Sequence, residues 1–138
     1  MRYILLISLV SCMSLAASHI DKKIDYSEVH SVYQSMNCLE EKTEKEMDAC
    51  GIKSLQFAEN KMNSLFNIIL STSKKNSQSH ANTTIKSQED WKRYMQSNCV
   101  METLDSEGGS AHSTIINFCY ETKVNERISY LQWILSNQ

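Results

Sequence analysis

Apolar residues recur along this chain at intervals of three and four, and β-branched residues do not alternate with polar ones. That pattern predicts helices rather than strands. No proline interrupts it, so no stretch is barred from helix by a missing amide donor. Four helical segments can be read. The first runs from about Tyr26 to Met36, with Val29, Val32, Tyr33 and Met36 on one face, and Asn37-Cys38-Leu39-Glu40 is a break. The charged run Glu40 to Asp48 opens a second helix that reaches about Leu70, with Ile52, Leu55, Ala58, Met62, Leu65, Phe66 and Ile69 mostly at 3-and-4 spacing. Ser71 to Asn82 is rich in Ser, Asn and Lys and reads as a loop. Thr83 or Thr84 would cap a third helix, whose face includes Ile85, Gln88, Trp91, Tyr94, Met95, Cys99 and Glu102. This helix should fail near Glu107-Gly108-Gly109, because each glycine costs about 1 kcal/mol inside a helix. Ser110 is a natural N-cap for the fourth, which carries Ile116, Cys119, Tyr120, Val124, Arg127, Ile128, Leu131 and Leu135 on one broad face. The expectation is an all-α protein, a small four-helix arrangement.

The chain has 138 residues, enough for one domain. Residues 1–18 read as a signal peptide: Arg2 is a positive n-region, Ile4 to Val10 are apolar except Ser8, and Ala16 and Ser18 fit small-x-small cleavage just before His19. The apolar run is too short for a permanent membrane anchor. Residues 19–37 then form an N-terminal helical extension. A second route competes, because Leu9-Val10-Ser11-Cys12 matches a lipobox in which Cys12 would be acylated. The expected location is therefore periplasmic or secreted, with a lipid-anchored envelope form as the alternative. Membrane contact is expected only through Cys12.

Either route removes Cys12 from disulfide chemistry and leaves Cys38, Cys50, Cys99 and Cys119. An even number in an exported chain predicts two disulfides. Three connectivities exist; we choose Cys38–Cys50 with Cys99–Cys119, since each pair flanks a predicted turn. The second choice has a geometric basis. On antiparallel helices joined at Gly108-Gly109, Cys99 and Cys119 lie about 9 and about 10 residues from the turn, nearly equal heights at about 1.5 Å per residue. Each bond should contribute on the order of 3 kcal/mol.

Residues 19–138 carry 13 basic and 16 acidic residues, a net charge of −3. No basic field or Lys/Arg stripe suits nucleic acid. Glu40, Glu41, Glu44, Glu46 and Asp48, interrupted by Lys42 and Lys45, read as a solvated face. His19, His30, His80 and His112 make no ligand pattern, and no nucleophile signature or phosphate loop is present. The reading is not an enzyme, and no cofactor or metal is implied. Trp91 and Tyr94 are expected in the core, where aromatics bury large areas. Arg127, on a largely apolar face, needs an internal hydrogen-bonded partner, with Glu102 or Glu121 as candidates. The turn Glu107, Gly108, Gly109, Ser110 is first a hairpin connection. Its functional alternative is a loop that enters a partner's cleft, with Glu107 and His112 supplying polar contacts.

An ordered set of motifs covers roughly residues 38 to 135: Ala49-Cys50, then Asn63 and Phe66, then Gln88-x-x-Trp91-x-x-Tyr94-x4-Cys99, then Gly108-Gly109-Ser110, then Cys119-x7-Arg127-x3-Leu131. In this the chain resembles the exported bacterial family named for the lysozyme inhibitor LprI, which makes residues 38–138 a helical domain of that type. Two departures stand out. Met95 and Gln96 replace a usual Arg-Asp, and Val124 replaces a usual threonine. If the Arg-Asp made a structural ion pair, Met95 packs instead. The resemblance implies a protein-binding domain whose partner is a lysozyme, an enzyme that cuts peptidoglycan with two carboxylates. The residues alone support a secreted helical binding module. Two other readings stay open: an envelope protein for another partner (as an immunity protein or a regulator of a cell-wall enzyme), and a small-molecule carrier with an apolar cavity. Oligomeric state is not legible.

Overall fold

A computed structural model describes residues 34–137. The expected signal peptide, Cys12 and nearly all of the first expected helix lie outside the described residues. Gln34 to Met36, its expected end, is not helical. The backbone donors there go elsewhere: the Ser35 amide donates to Glu121 Oε1 at 2.5 Å, and the Met36 amide to Ser54 Oγ at 3.0 Å.

Three long helices, not four, make up the described residues: α1 (Glu44–Asn76), α2 (Gln78–Glu102) and α3 (His112–Ser136). Short 3-10 turns at Cys38–Glu40 and Leu104–Ser106 precede α1 and follow α2. Thr43 caps α1, accepting from the Glu46 amide at 3.2 Å while its hydroxyl donates to the Glu46 carboxylate at 2.9 Å. The helix thus begins inside the acidic run, whose Glu40, Glu41, Glu44 and Glu46 are exposed.

The loop expected at Ser71 to Asn82 is a correction. All of it is helical except Ser77. This one residue, in an extended conformation, donates its amide to the Ser73 carbonyl and accepts the His80 amide on its hydroxyl at 3.1 Å. It ends one helix and caps the next, so the caps expected at Thr83 or Thr84 fall inside α2. Polar composition alone does not oppose helix, and the stretch holds neither glycine nor proline. Ser73 is buried and shares a 2.8 Å hydrogen bond with Thr84, and Ala81 is fully buried, so tertiary packing draws both helices through.

At the other connection α2 stops at Glu102, earlier than the glycines. Gly108 has φ +79°, the left-handed conformation that glycine adopts without a Cβ clash. Ser110 does not cap α3; Ala111 precedes the helix and offers no side-chain acceptor. The start of α3 is held instead by Ser106 Oγ, 2.9 Å from His112 Nδ1, and by the His112 amide donating to the Gly109 carbonyl.

Helices α1 and α2 are antiparallel, as the Ser73–Thr84 and Met62–Gln88 contacts show. Helix α3 runs parallel to α1: Asp48 meets Ser113 and Thr114, Ser54 meets Glu121, and Ile69 shares a cleft with Leu131. The core between them holds Ala58, Met62, Ile69, Met95, Val124, Ile128 and Leu131. Met95 packs there, 9% exposed. The disulfides are Cys38–Cys50 and Cys99–Cys119, with Cα atoms 5.6 and 5.7 Å apart. The second joins α2 to α3 at the equal heights that the hairpin reading required.

Candidate functional site

The segment from Glu107 to Ala111 is exposed throughout, at the end of the molecule where α2 stops and α3 starts. Its base is tied at several points. The Cys99–Cys119 bond closes the hairpin below it. Thr103 Oγ1 donates to the Cys99 carbonyl at 2.8 Å, and Ser106 Oγ reaches both the Thr103 carbonyl and His112. Across to α1, Ser113 Oγ donates to Asp48 Oδ1 at 2.5 Å. Beside this loop Val100, Met101 and Leu104 are more than half exposed, with Met101 at 63%. The sequence reading missed these three apolar residues, since none belongs to the inward stripe of α2. The tip therefore combines a polar loop, an apolar shoulder and a rigid base. Of the sequence-selected residues, Glu107, Gly108, Gly109 and Ser110 are free in solvent and His112 is half-buried as an anchor.

Gln88, Trp91 and Arg127 converge about halfway along the α2–α3 pair. Arg127 is half-buried, and its Nε and one Nη donate to Gln88 Oε1 at 3.2 and 3.1 Å. Its guanidinium lies over the Trp91 ring at 5.5 Å and over the Tyr130 ring at 5.2 Å. Gln88, itself buried, turns its amide nitrogen toward Met62 Sδ. Burial pushes the Arg127 pKa down from its ordinary value, and Tyr130 opposes that shift. The expected partners Glu102 and Glu121 are thus corrected: the acceptor is a neutral amide. A helix explains why, because Gln88 and Trp91 stand one turn apart and both face α3. Tyr94 is a second correction. It is 56% exposed, whereas Met95, one residue further round the helix, takes the inward position.

Glu121 has a different task. It is fully buried; Oε1 accepts from Ser54 Oγ at 2.6 Å and from the Ser35 amide, and Oε2 has no hydrogen-bond partner among the described residues. It fastens the segment before α1 onto α1 and α3. Its place one residue from the apolar Tyr120 stripe hid this role in the sequence. Among the described residues no group of His, Cys, Asp and Glu could hold a metal ion, and no helix is long and apolar enough to cross a membrane.

No curated protein and no solved structure matches this chain. One family model does, that of "Lysozyme inhibitor LprI", over residues 35–131. The match takes in both disulfides, the α2–α3 connection and the Gln88–Trp91–Arg127 cluster, and by it this chain belongs to the lysozyme inhibitor LprI family.

Proposed function

We propose that this protein is exported and inhibits a lysozyme-type peptidoglycan hydrolase by presenting the α2–α3 tip to the enzyme. The observation that carries the reading is the tip itself: an exposed loop, Glu107 to Ala111, on a disulfide-closed base and beside exposed Met101 and Leu104. Inhibition by occupation needs a loop that loses little freedom on binding, and a stapled base supplies that. Apolar side chains next to polar contacts suit an interface core with a polar rim. Both disulfides fit a location outside the reducing cytoplasm, and the leader at residues 1–18 provides the route.

The test is a lysozyme turbidity assay with the oxidised protein, beside a reduced and alkylated control. Inhibition by the oxidised form alone supports the reading. The double variant Met101→Ser with Glu107→Ala should weaken inhibition by about ten-fold or more, the effect of losing a central contact, with its circular dichroism unchanged. Folded native protein that leaves lysozyme fully active would sink the proposal.

A further inference from the structure

We propose that a cleft at the far side of the Arg127 cluster is a binding site for a small monocarboxylate with an apolar body of about six carbons, the size that its volume admits. The cleft measures about 250 Å³, opens to solvent, and is walled by Phe66 and Ile69 of α1 and Leu131 and Ile134 of α3, with Ser87 and Arg127 at one polar edge and the hydroxyls of Ser73, Thr83 and Thr84 along the α1–α2 side. A cavity of roughly 150 Å³ holds a benzene ring, so this one admits a six-carbon chain together with its head group.

The head group follows from Arg127. Its only side-chain acceptors among the described residues are Gln88 Oε1 and, at 3.5 Å, Ser87 Oγ, all of them neutral. No carboxylate lies within ion-pair distance of it among the described residues. The acid on the neighbouring stretch of α2, Asp90, is already engaged by Lys86 and Arg93. A guanidinium has five N–H donors, and Gln88 engages only Nε and Nη2. Gln88, Trp91 and Tyr130 hold its plane, which spares a ligand the cost of ordering it. A planar fork matches a carboxylate in two parallel hydrogen bonds. One cation at the edge of apolar walls suits one negative charge; a doubly charged phosphate would leave a charge unmatched there. The four apolar walls recognise the hydrocarbon body.

The site is separate from the hairpin tip, so its test does not depend on lysozyme inhibition. Sodium hexanoate would be titrated into the disulfide-bonded protein and followed by methyl and arginine Nε–Hε NMR shifts. The Ile69, Leu131, Ile134 and Arg127 signals should move together, with a Kd on the order of a millimolar for a ligand of this size. Hexan-1-ol, with the same chain and no charge, should bind about ten-fold more weakly or less. Arg127→Met should lose affinity for hexanoate to the same degree. Ser87→Leu, at an exposed position, should plug the mouth and abolish the shifts without touching the core. Absence of shifts at these methyls overturns the proposal, and so does hexan-1-ol binding as well as hexanoate. If Arg127→Met does not fold, hexanoate binding unchanged in Ser87→Leu is the overturning result.

Discussion

At the scale of single residues, two polar groups decide what the apolar core alone does not. Gln88 is the nearest described side-chain acceptor to the half-buried Arg127 guanidinium, through two hydrogen bonds of 3.1 and 3.2 Å, with Ser87 Oγ further off at 3.5 Å. Removing a partner from a buried or half-buried donor costs more than the bond itself contributes. Gln88→Ala should therefore lower stability by about 2 kcal/mol, read as a lower urea midpoint at unchanged m-value. Gln88→Glu should recover most of the loss, because it keeps an acceptor and adds charge. Glu121 makes the same argument at the other end. Truncation to alanine strands the Ser54 hydroxyl and the Ser35 amide, both of which donate to it. Faster hydrogen exchange at the Ser35 and Met36 amides, with core amides of α2 unchanged, is the expected signature. Asp90 illustrates a surface group. Its hydrogen bond from Lys86 comes first among the causes that hold its pKa below 3.8, with Arg93 adding to it. A depressed folded-state pKa means the contribution is present above the unfolded value and lost as pH falls through the folded one. Carboxyl NMR should show Asp90 titrating below 3.8, and Asp90→Asn should remove that part of the acid sensitivity while leaving the midpoint at neutral pH little changed, since the group is fully exposed.

At the scale of elements, the breaks rather than the helices carry the information. Ser77 separates two long helices by itself, and its hydroxyl accepts the His80 amide. Ser77→Ala should cost about 1 kcal/mol, measured by chemical unfolding, with helical content retained because Ile69, Ser73 and Ala81 still pack. This is also where the sequence misleads. Ser, Asn and Lys between 71 and 82 resemble a loop in composition, yet what matters is that no glycine or proline stands there and that Ser73 and Ala81 have buried places to fill. The tip was legible for the opposite reason, since the left-handed backbone at this turn favours a glycine, and Gly108 supplies it. Helix α3 shows the limit of periodicity. Phe118, Cys119, Glu121, Thr122 and Val124 are all buried, so its first half has no simple dry stripe. It is covered by α1, tied to α2 by Cys119 and overlain by the segment at Ser35. A three-sided burial cannot be read from a two-sided pattern, which is why Phe118 did not register and why Glu121 reads as a candidate partner for Arg127 rather than for Ser54 and the Ser35 amide.

For the molecule as a whole, the two disulfides have nearly the same thermodynamic weight and different consequences. They close loops of 12 and 20 residues, for which the chain-entropy estimate is about 3 kcal/mol in each case. Cys38–Cys50 fastens the segment before α1, which Glu121 and Ser54 also hold through the Ser35 and Met36 amides. Cys99–Cys119 joins two helices directly below the exposed tip. Replacing either pair by alanine should lower stability by a similar amount, on the order of 3 kcal/mol. The effect on lysozyme inhibition should divide them. Without Cys38–Cys50 the hairpin keeps its base, so inhibition should persist wherever the protein remains folded. Without Cys99–Cys119 the loop from Glu107 to Ala111 gains freedom that binding must remove again. The double variant Cys99→Ala with Cys119→Ala should then inhibit more weakly even at temperatures where circular dichroism shows it fully helical. Equal inhibition by both double variants under folded conditions would mean that the tip is not the contacting surface, and would direct attention to the flanks of the helices.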